Sequence, residues 1–73
     1  MKTPIQNKKQ LEFDMVVYHT KIYNGNEPLK VIGIRKSEVE LYGDYSGVGL
    51  TYGSSWLPLD GVLIQEKENE KQN

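Results

Sequence analysis

His19 is the chain's one histidine, and no cysteine is present to share a metal or a proton with it. A metal centre or a Cys/His nucleophile pair needs two or more such groups together, so neither has its parts here. A lone histidine inside a strand reads as an ordinary surface or edge residue. Gly53-Ser54-Ser55-Trp56-Leu57 begins like a nucleophile elbow, but Leu57 stands where that turn needs glycine, and 73 residues hold no α/β-hydrolase scaffold. Gly43, Gly47, Gly49 and Gly53 match neither phosphate-binding glycine pattern, and they lead into a strand instead of a helix N-terminus. They read as turn and bulge residues of a bent strand. The expectation is a chain that is not an enzyme and takes no cofactor or metal.

What remains is aromatic. Of five tyrosines and one tryptophan, Tyr42, Tyr45, Tyr52 and Trp56 cluster along one stretch, with Tyr23 at the first turn. Such rings join an apolar body to a polar tip and are favoured at the centres of protein interfaces. These five are the candidate binding residues, for a protein or peptide partner or for a second copy of the chain. The competing reading is that they complete a core too small to close with aliphatics.

Nucleic acid is the rival partner, because small barrels bind it with aromatics interleaved by Lys and Arg. Nine Lys+Arg against ten Asp+Glu give a net charge of -1, which speaks against it. Residues 13–64 carry six acids (Asp14, Glu27, Glu38, Glu40, Asp44, Asp60) and only four bases (Lys21, Lys30, Arg35, Lys36). A groove that tracks phosphates needs the opposite balance. Only Lys2, Lys8 and Lys9 offer a basic patch, so weak nucleic-acid binding through this N-terminal arm is the alternative function.

The elements that must position these rings are short. At 73 residues, 37% hydrophobic and 26% charged, the chain reads as one domain whose core must hold the fold without disulfides. The longest apolar run is Met15 to Tyr18, far below the roughly 20 residues of a membrane span, and no apolar stretch precedes Leu11 as in a secretory signal. A cytoplasmic location is expected. Residues 1–13 form an arm in which Thr3, Pro4 and Gln6 fit the N-cap, first and third positions of a short helix, with Leu11 and Phe13 as apolar anchors. Residues 66–73 lack apolar side chains and read as a disordered polar tail.

Between them the pattern is β. Met15 to Tyr23 is rich in β-branched and aromatic residues and ends at Asn24-Gly25, a turn pair. Leu29 to Lys36 follows Pro28. A two-residue turn at Lys36-Ser37 then sets Arg35 opposite Glu38, Ile34 opposite Val39, Gly33 opposite Glu40 and Ile32 opposite Leu41. One face becomes Ile32, Ile34, Val39 and Leu41, and the other Arg35, Glu38, Glu40 and Tyr42. A fourth strand runs from Leu50 to Leu57, Pro58-Leu59-Asp60-Gly61 makes a tight turn, and Val62 to Ile64 is a fifth strand.

The segment Ser55-Trp56-Leu57-Pro58-Leu59-Asp60-Gly61-Val62-Leu63-Ile64 resembles the ending of SH3-like barrels, where an aromatic-x-Pro step, one tight turn and a short apolar strand complete the sheet. The resemblance spans residues 14–65 and is greatest to small uncharacterised bacterial proteins of that fold. It implies a mainly β, five-stranded antiparallel barrel after a short N-terminal helix or arm. It does not extend to proline-rich peptide binding, since Gly61 stands where signalling SH3 domains place a groove tyrosine. The expected function is a non-enzymatic protein-interaction module with a Tyr/Trp contact surface.

Overall fold

A computed structural model of the protein describes residues 1–65. Within them lie six strands: β1 (Lys2–Pro4), β2 (Val16–His19), β3 (Leu29–Ile34), β4 (Glu38–Asp44), β5 (Tyr52–Pro58) and β6 (Val62–Gln65). They form one antiparallel sheet in the order β1-β6-β2-β3-β4-β5. No ladder joins β1 to β5 among the described residues, so the sheet is open. The expected five-stranded barrel is corrected in both strand number and closure, while the mainly β class stands. The expected polar tail lies outside the described residues.

The sixth strand comes from the leader, where a short helix was expected. Thr3 and Pro4 lie extended in β1 opposite Ile64 and Leu63. A proline is tolerated there because β1 is an edge strand. A capping box does form, but at Asn7 and Gln10: the Asn7 side chain accepts from the Lys9 N–H at 2.8 Å, and Gln10 reaches back to the Asn7 N–H at 3.3 Å. It starts only one 3₁₀ turn, Lys8–Gln10, before Leu11 returns to extended backbone. A segment this short gains more from pairing with β6 than from helix hydrogen bonds that nothing packs against. Leu11 is buried as an anchor, whereas Phe13 is 65% exposed and is not one.

β2 is much shorter than the run from Met15 to Tyr23. Its first half pairs with β3 (Val16 opposite Lys30, Val17 opposite Leu29) and its second half with β6 (Tyr18 opposite Leu63, His19 opposite Val62). The chain then turns as Asn24-Gly25 leads one to expect, with φ of 50°, 54° and 81° at Tyr23, Asn24 and Gly25. In the β3–β4 hairpin, Ile34 faces Val39 and Gly33 faces Glu40, and the Arg35 N–H donates to the Glu38 carbonyl at 2.8 Å. The register then shifts between Val31 and Gly33, so Leu41 faces Val31 and not Ile32. This bulge puts an extra residue into β3. Ile32 is expelled outward, and Val31 takes the expected core place. The core is Leu11, Val17, Ile22, Leu29, Val31, Val39, Leu41, Tyr45 and Val62.

His19 is fully buried, which corrects its reading as a surface residue. The Lys21 N–H donates to Nδ1 at 3.1 Å, so in the neutral ring Nε2 carries the proton and donates to the Pro58 carbonyl at 2.9 Å. Both ring nitrogens are satisfied, and the end of β2 is tied to the end of β5. The turn from Leu59 to Val62 closes by a Val62 N–H to Leu59 carbonyl bond of 3.2 Å. Gly61 in that turn has φ of 113°, and a Cβ there would lie 2.8 Å from His19 Cε1 and 2.9 Å from Thr20 Oγ1.

Burial pushes the His19 pKa below its usual 6.5, helped by the Lys21 charge and opposed by the Pro58 bond and Asp60. The unfolded chain therefore binds more protons once pH falls below about 6.5. Stability is full above that value and declines as pH drops towards the lowered folded pKa, because a proton on Nδ1 expels the Lys21 N–H. Urea midpoints should fall between pH 7.5 and 5.5, and His19→Gln should flatten that fall. Gly61→Ala should lose about 1–3 kcal/mol, read from the same melts, since it meets both positive φ and the imidazole.

Candidate functional site

Alternation along β4 turns Val39, Leu41 and Gly43 inward and Glu38, Glu40, Tyr42 and Asp44 to the opposite face. β5 follows without a break in register: Trp56 faces Glu40, Ser54 faces Tyr42 and Tyr52 faces Asp44. Tyr42, Tyr52 and Trp56 therefore share the outer face of the sheet, away from the core.

At one end of this face Tyr42 and Tyr52, diagonal neighbours, hold their ring centroids 6.4 Å apart at a tilt of 50°. They are 46% and 67% exposed. At the other end Trp56, half-buried, lies across Gly33, where a Cβ would come within 3.0 Å of Cη2. The Arg35 guanidinium covers the indole at 3.8 Å from the ring centroid and also sits 3.4 Å from Glu38 Oε1. Glu40 Oε2 accepts from the Ser54 hydroxyl at 2.9 Å between the two ends. The face can offer ring surfaces, a held guanidinium and hydrogen-bonded carboxylates to a partner.

Two expected members lie elsewhere. Tyr45 is 2% exposed and donates its hydroxyl to the Leu41 carbonyl, and burial followed by the Glu40 charge raises its pKa. It belongs to the core, as the competing reading of the aromatics had it. Tyr23 hydrogen-bonds the Ser46 hydroxyl at 2.9 Å, and its ring lies so close over Gly47 that a Cβ there would be 2.5 Å from Cζ. It clasps the turn after β2 to the turn after β4. The five candidates thus divide into three surface rings, one core ring and one loop clasp.

The residue reading missed Arg35, although Gly33 and Arg35 point to the same side of β3 and Gly33 was correctly set opposite Glu40. One strand further, Glu40 faces Trp56, which sets Trp56 in line with Gly33 and two residues along the chain from the level of Arg35. The basic leader is also partly engaged: Lys2 Nζ lies 4.2 Å from the Tyr18 ring centroid and 3.3 Å from Asn26 Oδ1. Among the described residues no pocket opens and no three His, Asp or Glu side chains gather as metal ligands. No described helix is long and apolar enough to cross a membrane.

Trp56 is the only tryptophan, so its fluorescence reads this site alone. Arg35→Ala should raise acrylamide quenching of Trp56 and shift its emission to the red, with a stability loss of about 0.5–1 kcal/mol. Unchanged quenching would contradict the stacked arrangement.

With this geometry in hand, comparison of the chain with protein-family models, curated proteins and solved structures finds no match.

Proposed function

We propose that the chain is a non-enzymatic protein-interaction module whose contact surface is the outer face bearing Tyr42, Tyr52 and Trp56. The observation that carries this is the exposure of a tyrosine pair beside a tryptophan held in place by Gly33 and Arg35. Rings fixed in advance lose little side-chain freedom on binding, which is why they serve as anchors. His19, the group best suited to acid–base work, is sealed in the core with both nitrogens occupied, which supports a role other than catalysis. Against the nucleic-acid alternative, the same face carries Glu38, Glu40 and Asp44, and Lys2 is committed to Tyr18 and Asn26.

An SH3-like relationship belongs to the same proposal, supported by the Trp56-Leu57-Pro58 step, the tight turn after it and the return of β6 to pair with β2. The test is affinity capture from source cells, comparing the native chain with a Tyr42→Ser/Tyr52→Ser variant whose melting curve is intact. A protein that binds the native chain again after purification, and binds the variant at least about tenfold more weakly, supports the reading. Equal binding by the variant, or salt-sensitive binding of single-stranded RNA or DNA in place of protein, overturns it.

A further inference from the structure

The two edges of the sheet are built differently. β1 is three residues long and carries Lys2 and Pro4, both of which discourage another strand from pairing. β5 is seven residues long, and from Leu50 to Leu59 no side chain is charged. Its pairing with β4 runs from Tyr52 to Pro58 without a register shift. The bonds from the Leu59 N–H to the Ser37 carbonyl and from the Tyr45 N–H to the Thr51 carbonyl show that odd-numbered residues of β5 point towards β4. The backbone groups of Tyr52, Ser54 and Trp56 therefore point away from the sheet. The Pro58 carbonyl obeys the same parity and is taken by His19. For the other three, the described residues supply only a long contact of 3.5 Å from the Thr51 hydroxyl to the Tyr52 carbonyl.

From this edge we infer that the chain self-associates as a two-fold dimer in which β5 pairs antiparallel with β5 of a second copy, centred on Ser54. The strand is close to its own complement. Tyr52-Gly53-Ser54-Ser55-Trp56 reads aromatic, small, Ser, small, aromatic in either direction. Centring on Ser54 makes each outward residue part of a hydrogen-bonded pair: Ser54 with Ser54, and Tyr52 with the Trp56 of the other copy. Every free N–H and C=O from Tyr52 to Trp56 is then satisfied, and the outer faces of the two copies join into one continuous surface. Gly53 meets Ser55 on the core side, so nothing bulky opposes the approach. Pro58, which lacks an N–H and has already committed its carbonyl, ends the pairing. The absence of charge along the edge removes the like-charge repulsion that self-pairing usually meets. This rests on the reading of the aromatic face as a protein-contact surface and names its partner.

The chain has no cysteine, so single cysteines report the register directly. In a hydrogen-bonded pair the Cα atoms lie about 5.5 Å apart, a separation a disulfide spans. Ser54→Cys should oxidise mainly to a covalent dimer, while Thr51→Cys, whose mate would lie several residues away, should remain one chain. Sedimentation equilibrium should show the native mass rising from one chain to two with concentration. Ser54→Pro removes an outward N–H and no ladder bond within the monomer, and should raise the dimer dissociation constant about tenfold or more. Ser54→Lys gives a second disruption that leaves the backbone unconstrained. A native mass of one chain into the millimolar range overturns the inference, as does cross-linking equally efficient at residues 51 and 54. Either result together with Tyr42-dependent capture of a different protein would refute self-pairing and leave the contact surface standing.

Discussion

The imidazole of His19 holds together the ends of two strands that no ladder connects. β2 has only four residues, and it spends two on β3 and two on β6, so the sheet bends sharply where it changes partner. At that bend the backbone of β5 approaches without pairing, and the Pro58 carbonyl would be left without a donor. The ring solves this with two neutral hydrogen bonds, one received from its own strand's continuation and one given to β5. A lysine could not accept, and a carboxylate could not donate while ionised. Gly61 is the necessary complement, since only a residue without Cβ lets the turn into β6 close over the ring. The arrangement accounts for the burial of an imidazole in a core of aliphatics and one tyrosine.

Once β2 is fixed, the two faces sort themselves. Positions alternating along β3 and β4 deliver Leu29, Val31, Val39 and Leu41 to the core, and Leu11 and Val62 cover it from the leader and from β6. Val17, Ile22 and one tyrosine, Tyr45, complete it, the Tyr45 hydroxyl turning back onto the Leu41 carbonyl. The rings of β4 and β5 all fall on outward positions. They stand on the outer face and lean on what the sheet offers, namely one another, Gly33 and Arg35. Their exposure follows from the parity of the strands.

Parity was also what made the chain legible. The β3–β4 hairpin could be registered near its turn because Arg35, Glu38 and Glu40 oppose an aliphatic set, and a slip of one residue would mix charge with core. The same logic failed three residues further on. A bulge costs no pattern violation when both candidates, Val31 and Ile32, are aliphatic, so the sequence contains no reason to prefer one. Gly33, next to the shift, was the available hint. The leader failed for a different reason: Thr3-Pro4 suits both a helix start and an extended edge, and the choice depends on β6, sixty residues away. His19 reads as a surface residue, and Tyr45 cannot be told from the surface rings, because burial of a polar tip depends on one carbonyl at the right distance, and composition says nothing of that.

A sheet that fails to close must still terminate its strands, and this chain does so unequally. At β1 the termination is cheap: three residues, a lysine folded over Tyr18 and a proline leave little to pair with. At β5 closure is blocked at one end, where the Pro58 carbonyl is already committed to His19, and nothing equivalent guards Tyr52 to Trp56. Ser55 and Leu57, the inward residues of that strand, are correspondingly less buried than Val39 and Leu41, their neighbours on β4. The core is thus thinnest under the strand whose backbone is least satisfied. A single charge among these positions would guard the edge, yet β1, β3 and β4 carry charged side chains while β5 stays neutral. Both deficits would be relieved by one further strand on the same side, which is why the self-pairing proposed above falls on the β5 edge and not on β1.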